Sequence, residues 1–396
     1  SGWRGQVGFS DDLEPDQADL DGYSESRAKS FQVAERHSGI VRANRGRGNG
    51  WRGSGGGMTQ SPFEEKFERT QREGRRVVAP LIGFPGINIV QSSIKLAQQN
   101  FGEHFRVLRA IAETFEPDVM FPLMDLAVEA NALGYYTLFP QAESATVVRT
   151  ASCLEELERI SQVNIAFDSR LLGYIETMKM MSLGLPDTIV KGAYVTGPYT
   201  LAALMLGADE AAMATVLRPD ELHVLCRFTT ERIQEYVRLL IAAGAQAICI
   251  LEPSAVMMGP DQFAEFSAAY VRHIIQSCKY TGITTIYHTC GNTMHLVNKM
   301  VESGVNAISL DSPDAGVDLP AVAAKVPQEV IIMGNISPTG SLLRGTPQEV
   351  EDEVTVLLRQ MAPFPNFVLS TGCDLPQETP VENIRAFMRA GRIRRD

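Results

Sequence analysis

The alternation of short apolar stretches with longer helical patterns constrains the fold of this chain more than any other feature. From residue 58 onward, the predicted strands are VVAPLI (77–82), VMFPLM (119–124), YYTLF (135–139), AYVTG (193–197), QAICIL (246–251), ITTIYH (283–288), NAISL (306–310), VIIMGN (330–335) and FVLS (367–370). The predicted helices lie near 88–101, 103–115, 154–162, 168–183, 199–217, 220–243, 261–281, 293–303, 319–325, 347–362 and 380–391. Strands that alternate with helices predict an α/β protein with a parallel sheet.

The number of strands separates two α/β architectures. About eight strands in a chain of this length predict a (β/α)8 TIM-type barrel, as a single domain over residues 58–396. A doubly wound open sheet is the alternative, but no Gly-x-Gly-x-x-Gly phosphate loop follows any predicted strand. Parallel-strand enzymes place their chemistry just after the strands, so polar residues at strand ends are the candidates for a functional site.

The composition excludes several functional classes. Of the 396 residues, 44% are hydrophobic and 21% are charged, and 36 basic against 47 acidic residues give a net charge of −11. This charge argues against a nucleic-acid surface, which needs positive charge. The sequence contains no run of about 18 apolar residues, so it predicts no membrane span. The six cysteines form no tight framework, and no signal-peptide pattern opens the chain, so we expect a reducing, cytoplasmic location.

Residues 1–57 differ in composition from the rest of the chain. They contain DDLEPDQADLDGYSES and RANRGRGNGWRGSGGG, which are rich in Gly, Arg, Asp and Ser and lack hydrophobic periodicity. Such a segment cannot bury enough apolar surface to offset its ordering entropy. We predict a disordered or non-native extension, although a structured extension remains the alternative.

Deletion of residues 1–57 tests this prediction. Because the segment has no periodic apolar face, its removal should leave the melting temperature and the activity nearly unchanged. Thermal unfolding of the full-length and truncated proteins is the measurement. A large fall in melting temperature would show instead that the segment packs on the barrel.

One predicted strand ends in a pair of possible metal ligands. In ITTIYHTCG (283–291), His288 and Cys290 are two residues apart, so their side chains point to the same face of the strand. An imidazole nitrogen and a thiolate sulfur together suit zinc. A third candidate ligand, Cys373, follows another predicted strand in FVLSTGCDLP (367–376).

These three residues also have a simpler interpretation. Cysteine is often fully buried, and a single histidine on an apolar strand is usually a hydrogen-bonded core residue. Their shared position at strand ends, next to glycine and polar residues, favours the metal site. Three protein ligands leave a fourth position open, which is the catalytic and not the structural arrangement of zinc.

Five stretches of the chain carry a family resemblance. They are MDLAVEANALG (124–134), GAYVTGPYTLAALMLG (192–207), HTCGNTMHLVNKMVESGVNAISLD (288–311), GNISPTGSLLRGTPQEV (334–350) and LSTGCDLPQETPVENIRAF (369–387). Together they resemble the uroporphyrinogen decarboxylase superfamily over essentially all of 60–391. Within it, the His-x-Cys pair with a late Cys is similar to the zinc signature of the methylcobamide:coenzyme M methyltransferase branch.

This resemblance implies a TIM-type barrel, a zinc ion held by His288, Cys290 and Cys373 at its mouth, and a corrinoid as methyl carrier. Decarboxylases of the superfamily lack this ligand set. They carry an arginine-bearing N-terminal motif that binds substrate carboxylates, whereas LIGFPGINIV (81–90), at the corresponding place, contains no arginine.

Four further residues are candidates for the site. Asp125 falls where the superfamily's decarboxylases have their active-site aspartate, although a solvated or helix-capping carboxylate is an equal alternative. Asp311, after the NAISL strand, is a candidate fourth ligand or a residue that orients one, with a capping role as the alternative. Asn335 and Glu252, at the ends of their strands, are candidates to line the mouth and contact the cofactor.

The remaining histidine and cysteines of interest are expected to lie outside the site. We expect His295 on a helix surface, and packing roles for Cys153, Cys226, Cys249 and Cys278.

Three functions follow from this reasoning. The first is transfer of a methyl group from a methyl-Co(III) corrinoid, carried by a partner protein, to a zinc-activated thiol such as coenzyme M. Zinc would deprotonate the sulfur, because a free thiol with a pKa near 8.5 is mostly protonated at neutral pH. The second is loading of a corrinoid protein from a small donor such as a methoxylated aromatic or a halomethane. The third is a tetrapyrrole decarboxylase or a non-catalytic corrinoid binder, which retention of all three ligands disfavours.

Overall fold

The computed structural model describes residues 60–148 and 153–394 of the chain. The predicted disorder of residues 1–57 lies outside these ranges and is not tested by them. Within them the fold is an α/β barrel, as the alternation of strands and helices predicts. The (β/α)8 TIM-type architecture is therefore confirmed.

Seven strands form one parallel sheet. They are β1 (Val119–Met120), β4 (Val190–Thr196), β5 (Ala247–Leu251), β6 (Thr284–Thr289), β7 (Ala307–Leu310), β8 (Ile331–Ile336) and β9 (Phe367–Thr371). Each strand pairs with the next one in this order. Right-handed crossovers through helices are the usual way to connect neighbouring parallel strands, and each helix then covers the outer face of the sheet.

An eighth segment joins the two edges of this sheet. On one side, Leu369 in β9 donates its backbone N–H to Val77 O at 3.0 Å and accepts one from Ala79 at 2.9 Å. On the other side, the backbone N–H of Asp118, just before β1, donates to Val78 O at 3.0 Å. The predicted VVAPLI strand thus supplies only residues 77–79 to the pairing, but these residues close the barrel.

Helices surround the strands. Those before β4 are α1 (Pro62–Arg72), α2 (Pro85–Ile89), α3 (Ile94–Gln99), α4 (Phe101–Phe115), α5 (Val128–Ala132), α6 (Cys153–Ser161) and α7 (Ser169–Gly184). Those after β4 are α8 (Pro198–Leu206), α9 (Ala208–Leu217), α10 (Pro219–Ala242), α11 (Pro260–Phe263), α12 (Ala269–Cys278), α13 (Val297–Glu302), α14 (Leu319–Ala323), α15 (Ser341–Arg344), α16 (Pro347–Gln360) and α17 (Val381–Gly391). Short 3-10 turns cover Ile165–Phe167, Pro253–Met257 and Pro313–Ala315, and a π-helical turn covers Ala264–Ala268.

Three predicted elements differ from the structure. The helix predicted at 88–101 is divided into α2 and α3, which residues 90–93 separate. YYTLF is not a barrel strand, since β2 (Thr137–Leu138) pairs only with β3 (Thr146–Val147) in a small antiparallel sheet. The apolar run has the composition of a strand, but composition does not specify which sheet a strand joins. The helix predicted at 199–217 is divided into α8 and α9 at Gly207, whose φ is 94°.

No single helix in the described ranges is long and apolar enough to cross a membrane. The pair α8 and α9 reaches the required length and composition only when the two helices are taken together, and the chain bends by 109° between them.

The apolar core has two layers. One lies between the strands and the surrounding helices, and the other fills the interior of the barrel. The interior layer is formed mainly by alternate residues of the strands, with Phe63 of α1 and two residues that follow strand segments added. It consists of Phe63, Val77, Ala79, Leu81, Val119, Phe121, Val190, Tyr194, Ala247, Cys249, Leu251, Ile286, Ala307, Ile331, Met333 and Val368. This layer fills the barrel below the strand ends, so a ligand must bind at the mouth.

Helix α1 packs against the amino-terminal end of the barrel, opposite the mouth. Phe63 is buried with the interior layer, and Ser61 Oγ lies 2.8 Å from Thr284 Oγ1 at the start of β6. Lys66 Nζ donates to Asp118 Oδ1 at 3.0 Å. These contacts stabilise the end of the barrel that carries no candidate site.

Replacement of Asp118 by alanine should destabilise the fold strongly. Its buried carboxylate accepts hydrogen bonds from Lys66, Arg75 and the backbone N–H of Val78. Burial raises the pKa of Asp118, but Arg75 and Lys66 outweigh burial and hold that pKa below its usual value. Loss of one partner of a buried ion pair costs about 3–5 kcal/mol, and chemical denaturation at pH 7 would measure it.

The sign of the pH dependence follows from the lowered pKa. The stabilisation is present above the unfolded-state pKa of about 3.9 and is lost as the pH falls toward the folded-state value. The control is Asp187→Ala, because Asp187 is solvent-exposed and lies 3.9 Å from Lys191; this change should leave the free energy of unfolding nearly unaltered. Equal losses of unfolding free energy in the two variants would contradict a stabilising role for the buried carboxylate of Asp118.

Candidate metal centre

The strand β6 presents two of the predicted ligands at the mouth of the barrel. His288 is 1% exposed near the end of the strand, and Cys290 follows it on the same side, half-buried. Gly291 then turns the chain with a φ of 85°, a conformation that glycine adopts without steric cost. The β-branched and apolar residues at 284–287 form the first part of β6, and the glycine turns the chain immediately after the two candidate ligands.

The third predicted ligand, Cys373, lies just after β9. Cys373 follows the strand after Gly372, where a Cβ atom would lie 2.5 Å from the backbone nitrogen of Ser312. Only glycine permits this close approach between the end of β9 and the segment after β7. The glycine thus allows Cys373 to reach the residues of β6.

The ligand atoms of the three side chains converge. His288 Nε2 lies 3.2 Å from Cys290 Sγ, which lies 3.4 Å from Cys373 Sγ, and all three atoms lie within 4.8 Å of one another. A tetrahedral zinc ion with Zn–S of about 2.3 Å and Zn–N of about 2.0–2.1 Å separates its ligand atoms by roughly 3.6–3.8 Å. The donor set and its spacing fit zinc with only small side-chain shifts. Among the described residues, no other group of His, Cys, Asp and Glu side chains converges in this way.

The hydrogen bond between the two thiols shifts their pKa values in opposite directions. A hydrogen bond from Cys290 holds the pKa of Cys373 well below its usual value, and His288 contributes in the same direction. The same hydrogen bond, together with burial, raises the pKa of Cys290. A metal cation that binds both sulfurs would displace their protons, because cysteine binds metals as the thiolate.

Two polar residues next to the ligands were missed by sequence analysis. Ser309 Oγ lies 3.0 Å from His288 Nδ1. Asp374 accepts the backbone N–H groups of Gly83 and Leu375 at 3.2 and 3.0 Å, and burial followed by the neighbouring Cys373 raises its pKa well above the usual value. Both had a signal in the sequence, since Ser309 is a hydroxyl inside an apolar strand and Asp374 belongs to the STGCD motif.

Asp311 and Asn335 lie beside the three ligands but bind backbone groups. The Asp311 carboxylate accepts the N–H of Gly291 at 2.7 Å and that of Ser312 at 2.6 Å. Asn335 Nδ2 donates to the backbone oxygens of Asp311 at 2.9 Å and Val317 at 3.3 Å. These contacts favour a role for both residues in positioning the loops of the mouth.

Asp125 lies after β1, as predicted, and is engaged in an ion pair. Its Oδ2 accepts hydrogen bonds from Arg170 and, at 2.7 Å, from the hydroxyl of Tyr174, while Oδ1 accepts the N–H of Ala127 at 3.0 Å. The side chain is 0% exposed. It is therefore not one of the converging ligand groups.

Glu252, which follows β5, is also fully buried and lies against the first turn of α8. Its carboxylate accepts the N–H groups of Tyr199 and Thr200 at 3.1 and 2.8 Å and the hydroxyls of Thr200 and Ser267 at 2.7 and 3.0 Å. Burial raises the pKa of Glu252 to about 7. A carboxylate at a helix N-terminus stabilises that helix, so this geometry favours an anchoring role over contact with a cofactor.

The remaining predicted residues lie away from the three ligand atoms. The prediction that His295 lies on a helix is wrong, because His295 lies in the turn before α13; its Nε2 lies 3.2 Å from the backbone oxygen of Met258. Cys226, Cys249 and Cys278 are buried, in agreement with the predicted packing role. The side chain of Cys153 lies outside the described part of the chain.

Comparison with known proteins identifies the family. A family model described as "Uroporphyrinogen decarboxylase (URO-D)" matches residues 103–393. The chain belongs to the uroporphyrinogen decarboxylase family. The resemblance read from the sequence is thereby confirmed.

Curated relatives in this family have two kinds of activity in their names. A uroporphyrinogen decarboxylase of Synechococcus sp. (strain CC9902) is 24% identical over 288 residues, which cover 71% of this chain and 79% of the relative. The methylcobamide:CoM methyltransferase MtbA of Methanosarcina mazei is 25% identical over 254 residues, which cover 63% and 71%. Family membership therefore makes this chain a relative of both decarboxylases and methyltransferases.

Solved structures agree on the fold. A methyltransferase from Methanosarcina mazei superposes with a TM-score of 0.74 at 20% identity, covering 84% of this chain and 98% of that one. A B12-independent methionine synthase from Shewanella sp. W3-18-1 gives a TM-score of 0.56 at 14% identity, with coverage of 80% and 97%.

Proposed function

We propose that the chain is a zinc-dependent methyltransferase that moves a methyl group from a methyl-Co(III) corrinoid, carried by a partner protein, to a thiol such as coenzyme M. The single observation that carries this proposal is the convergence of His288, Cys290 and Cys373 at the mouth of the barrel. Two thiols and an imidazole have no evident use in a metal-free decarboxylation. They form the three-ligand set that leaves zinc one open position.

The ligand residues also account for the chemistry of the thiol. Bound there, zinc would keep a substrate sulfur deprotonated and therefore nucleophilic at neutral pH. Cys290 and Cys373, as thiolates, would balance the two charges of the metal, and neutral His288 would add none. A substrate thiolate would then give the centre a net negative charge, which would retain electron density on the attacking sulfur. The corrinoid would supply the methyl group from methyl-Co(III) and would be left as Co(I).

A decarboxylase is the second candidate function, because many curated relatives carry that name. Two features of this chain disfavour it. The segment 81–90 contains no arginine to bind substrate carboxylates. The carboxylate of Asp125 is 0% exposed and already accepts hydrogen bonds from Arg170 and Tyr174, so it does not project into the mouth toward a substrate.

The visible spectrum of the corrinoid tests the proposal and the direction of transfer. Zinc-loaded protein should consume the methyl-Co(III) bands of methylcobalamin when a small thiol is added. Formation of methyl-Co(III) from Co(I) corrinoid and a methoxylated aromatic or halomethane, without reaction of any thiol, would replace the proposal by the corrinoid-loading function. Release of CO2 from uroporphyrinogen, with no change in any corrinoid, would favour the decarboxylase.

A further inference from the structure

The register of two neighbouring strands places a polar residue opposite each ligand of β6. In the parallel ladder of β6 and β7, His288 is the Cα partner of Ser309, and Thr289 is the partner of Leu310. One step beyond the ladder, Cys290 and Asp311 continue the same register. The pattern His-x-Cys at the end of β6 therefore faces a pattern Ser-x-Asp at the end of β7.

Ser309 has a specific contact with the histidine. Its Oγ lies 3.0 Å from His288 Nδ1, and both residues are only 1% exposed. The other residues of β7 are Ala307, Ile308 and Leu310. A hydroxyl buried in such a strand costs free energy unless it is hydrogen-bonded. The hydrogen bond that the structure describes for Ser309 Oγ is the one with the imidazole ring of His288.

The contact determines which ring nitrogen is available to a metal. His288 Nε2 is the nitrogen that lies beside Cys290 Sγ, at 3.2 Å. A neutral imidazole that offers its lone pair from Nε2 carries its proton on Nδ1, and that N–H then donates to Ser309 Oγ. Without this acceptor, the other tautomer and other ring orientations become accessible, and a lone pair at Nε2 is no longer guaranteed.

We propose that Ser309 is a positioning residue that fixes the tautomer and ring orientation of His288 for metal binding. This inference rests on the proposed function, since it assumes that His288 binds zinc. Asp311 acts in parallel on the second ligand of β6, because its carboxylate holds the backbone N–H of Gly291, directly after Cys290, at 2.7 Å. The strand β7 thus orients both ligands of β6 without supplying a ligand.

Zinc affinity of a Ser309→Ala variant tests the role of the serine. Removal of a hydrogen-bond partner of a ligating histidine typically weakens metal binding about 10- to 100-fold, and we expect a loss in that range. Competition with a chromogenic chelator measures it. The matched control is Ser303→Ala, because Ser303 is also 1% exposed and donates only to the backbone oxygen of Met300, at 2.5 Å. Melting temperatures of both variants separate a loss of affinity from a loss of stability.

The outcomes distinguish this inference from the proposed function. If the wild-type protein binds zinc and Ser309→Ala binds it equally well, the role of Ser309 is wrong and the function stands. If the wild-type protein binds no zinc, the proposed function itself fails. Nitrogen-15 NMR of histidine-labelled wild-type protein with zinc gives a second readout that needs no variant. We expect His288 to carry its proton on Nδ1, and a proton on Nε2 or on both nitrogens would overturn the inference.

Discussion

Zinc content should fall from about one ion per chain to almost none when Cys290 is replaced by alanine. The side chain of Cys290 lies between the other two ligands, 3.2 Å from His288 Nε2 and 3.4 Å from Cys373 Sγ. Its removal leaves two ligands, a neutral imidazole and one thiolate, which neither complete the coordination nor balance the metal charge. Metal analysis of protein prepared without chelator, together with an assay of methyl transfer, is the measurement. We expect methyl transfer to be lost with the zinc.

Cys278→Ala is the matched control for this experiment. Cys278 is a free cysteine that is buried at the end of α12, and burial raises the pKa of its thiol to about 11. It packs in the core between strands and helices, so its loss should lower stability slightly and leave zinc content unchanged. Equal loss of zinc from both variants would show that the ligands are assigned to the wrong cysteines.

Binding of a small thiol to the zinc-loaded protein should release nearly one proton at pH 7. A free thiol has a pKa of about 8.5 and is therefore mostly protonated at this pH, but it enters the metal shell as a thiolate. As the pH rises above 8.5, free thiol ionises and proton release on binding should decline. Calorimetric titration in buffers of different ionisation enthalpy counts the protons.

Two comparisons make the thiol experiment specific. An alcohol of the same shape should bind much more weakly, because its oxygen is harder and far less acidic than sulfur. His288→Ala should show little thiol binding, since removal of a ligand empties or distorts the site. Equal binding of thiol and alcohol, or thiol binding without proton release, would exclude activation of the sulfur by a metal.

The sequence predicted the barrel because hydrophobic periodicity reports on burial. Strands such as β5 and β6 are buried along their whole length and appear as continuous apolar runs. The side chains that converge at the mouth could be picked out for a related reason. A His-x-Cys pair interrupts the apolar pattern at the end of β6, and two residues of a strand that are separated by one residue share a face.

The surroundings of the ligands were less predictable because they depend on tertiary contacts. The sequence shows that Glu252 and Asn335 follow strands, but not that they bind the start of α8 and the loop after β7. The partner of Asp125, Arg170, is 45 residues away in the chain. The contact between Ser309 and His288 depends on the register of β6 and β7, which no local pattern specifies.

Transfer of an isotopically labelled methyl group is the decisive measurement of zinc-dependent methyl transfer from corrinoid to thiol. Zinc-loaded protein is incubated with trideuteromethyl cobalamin and 2-mercaptoethanesulfonate, and the products are analysed by mass spectrometry. We expect one labelled methyl thioether for each cobalamin demethylated, and no product with Cys373→Ala. Demethylation without labelled thioether, or undiminished transfer by Cys373→Ala, would contradict a zinc-dependent transfer of methyl from corrinoid to thiol.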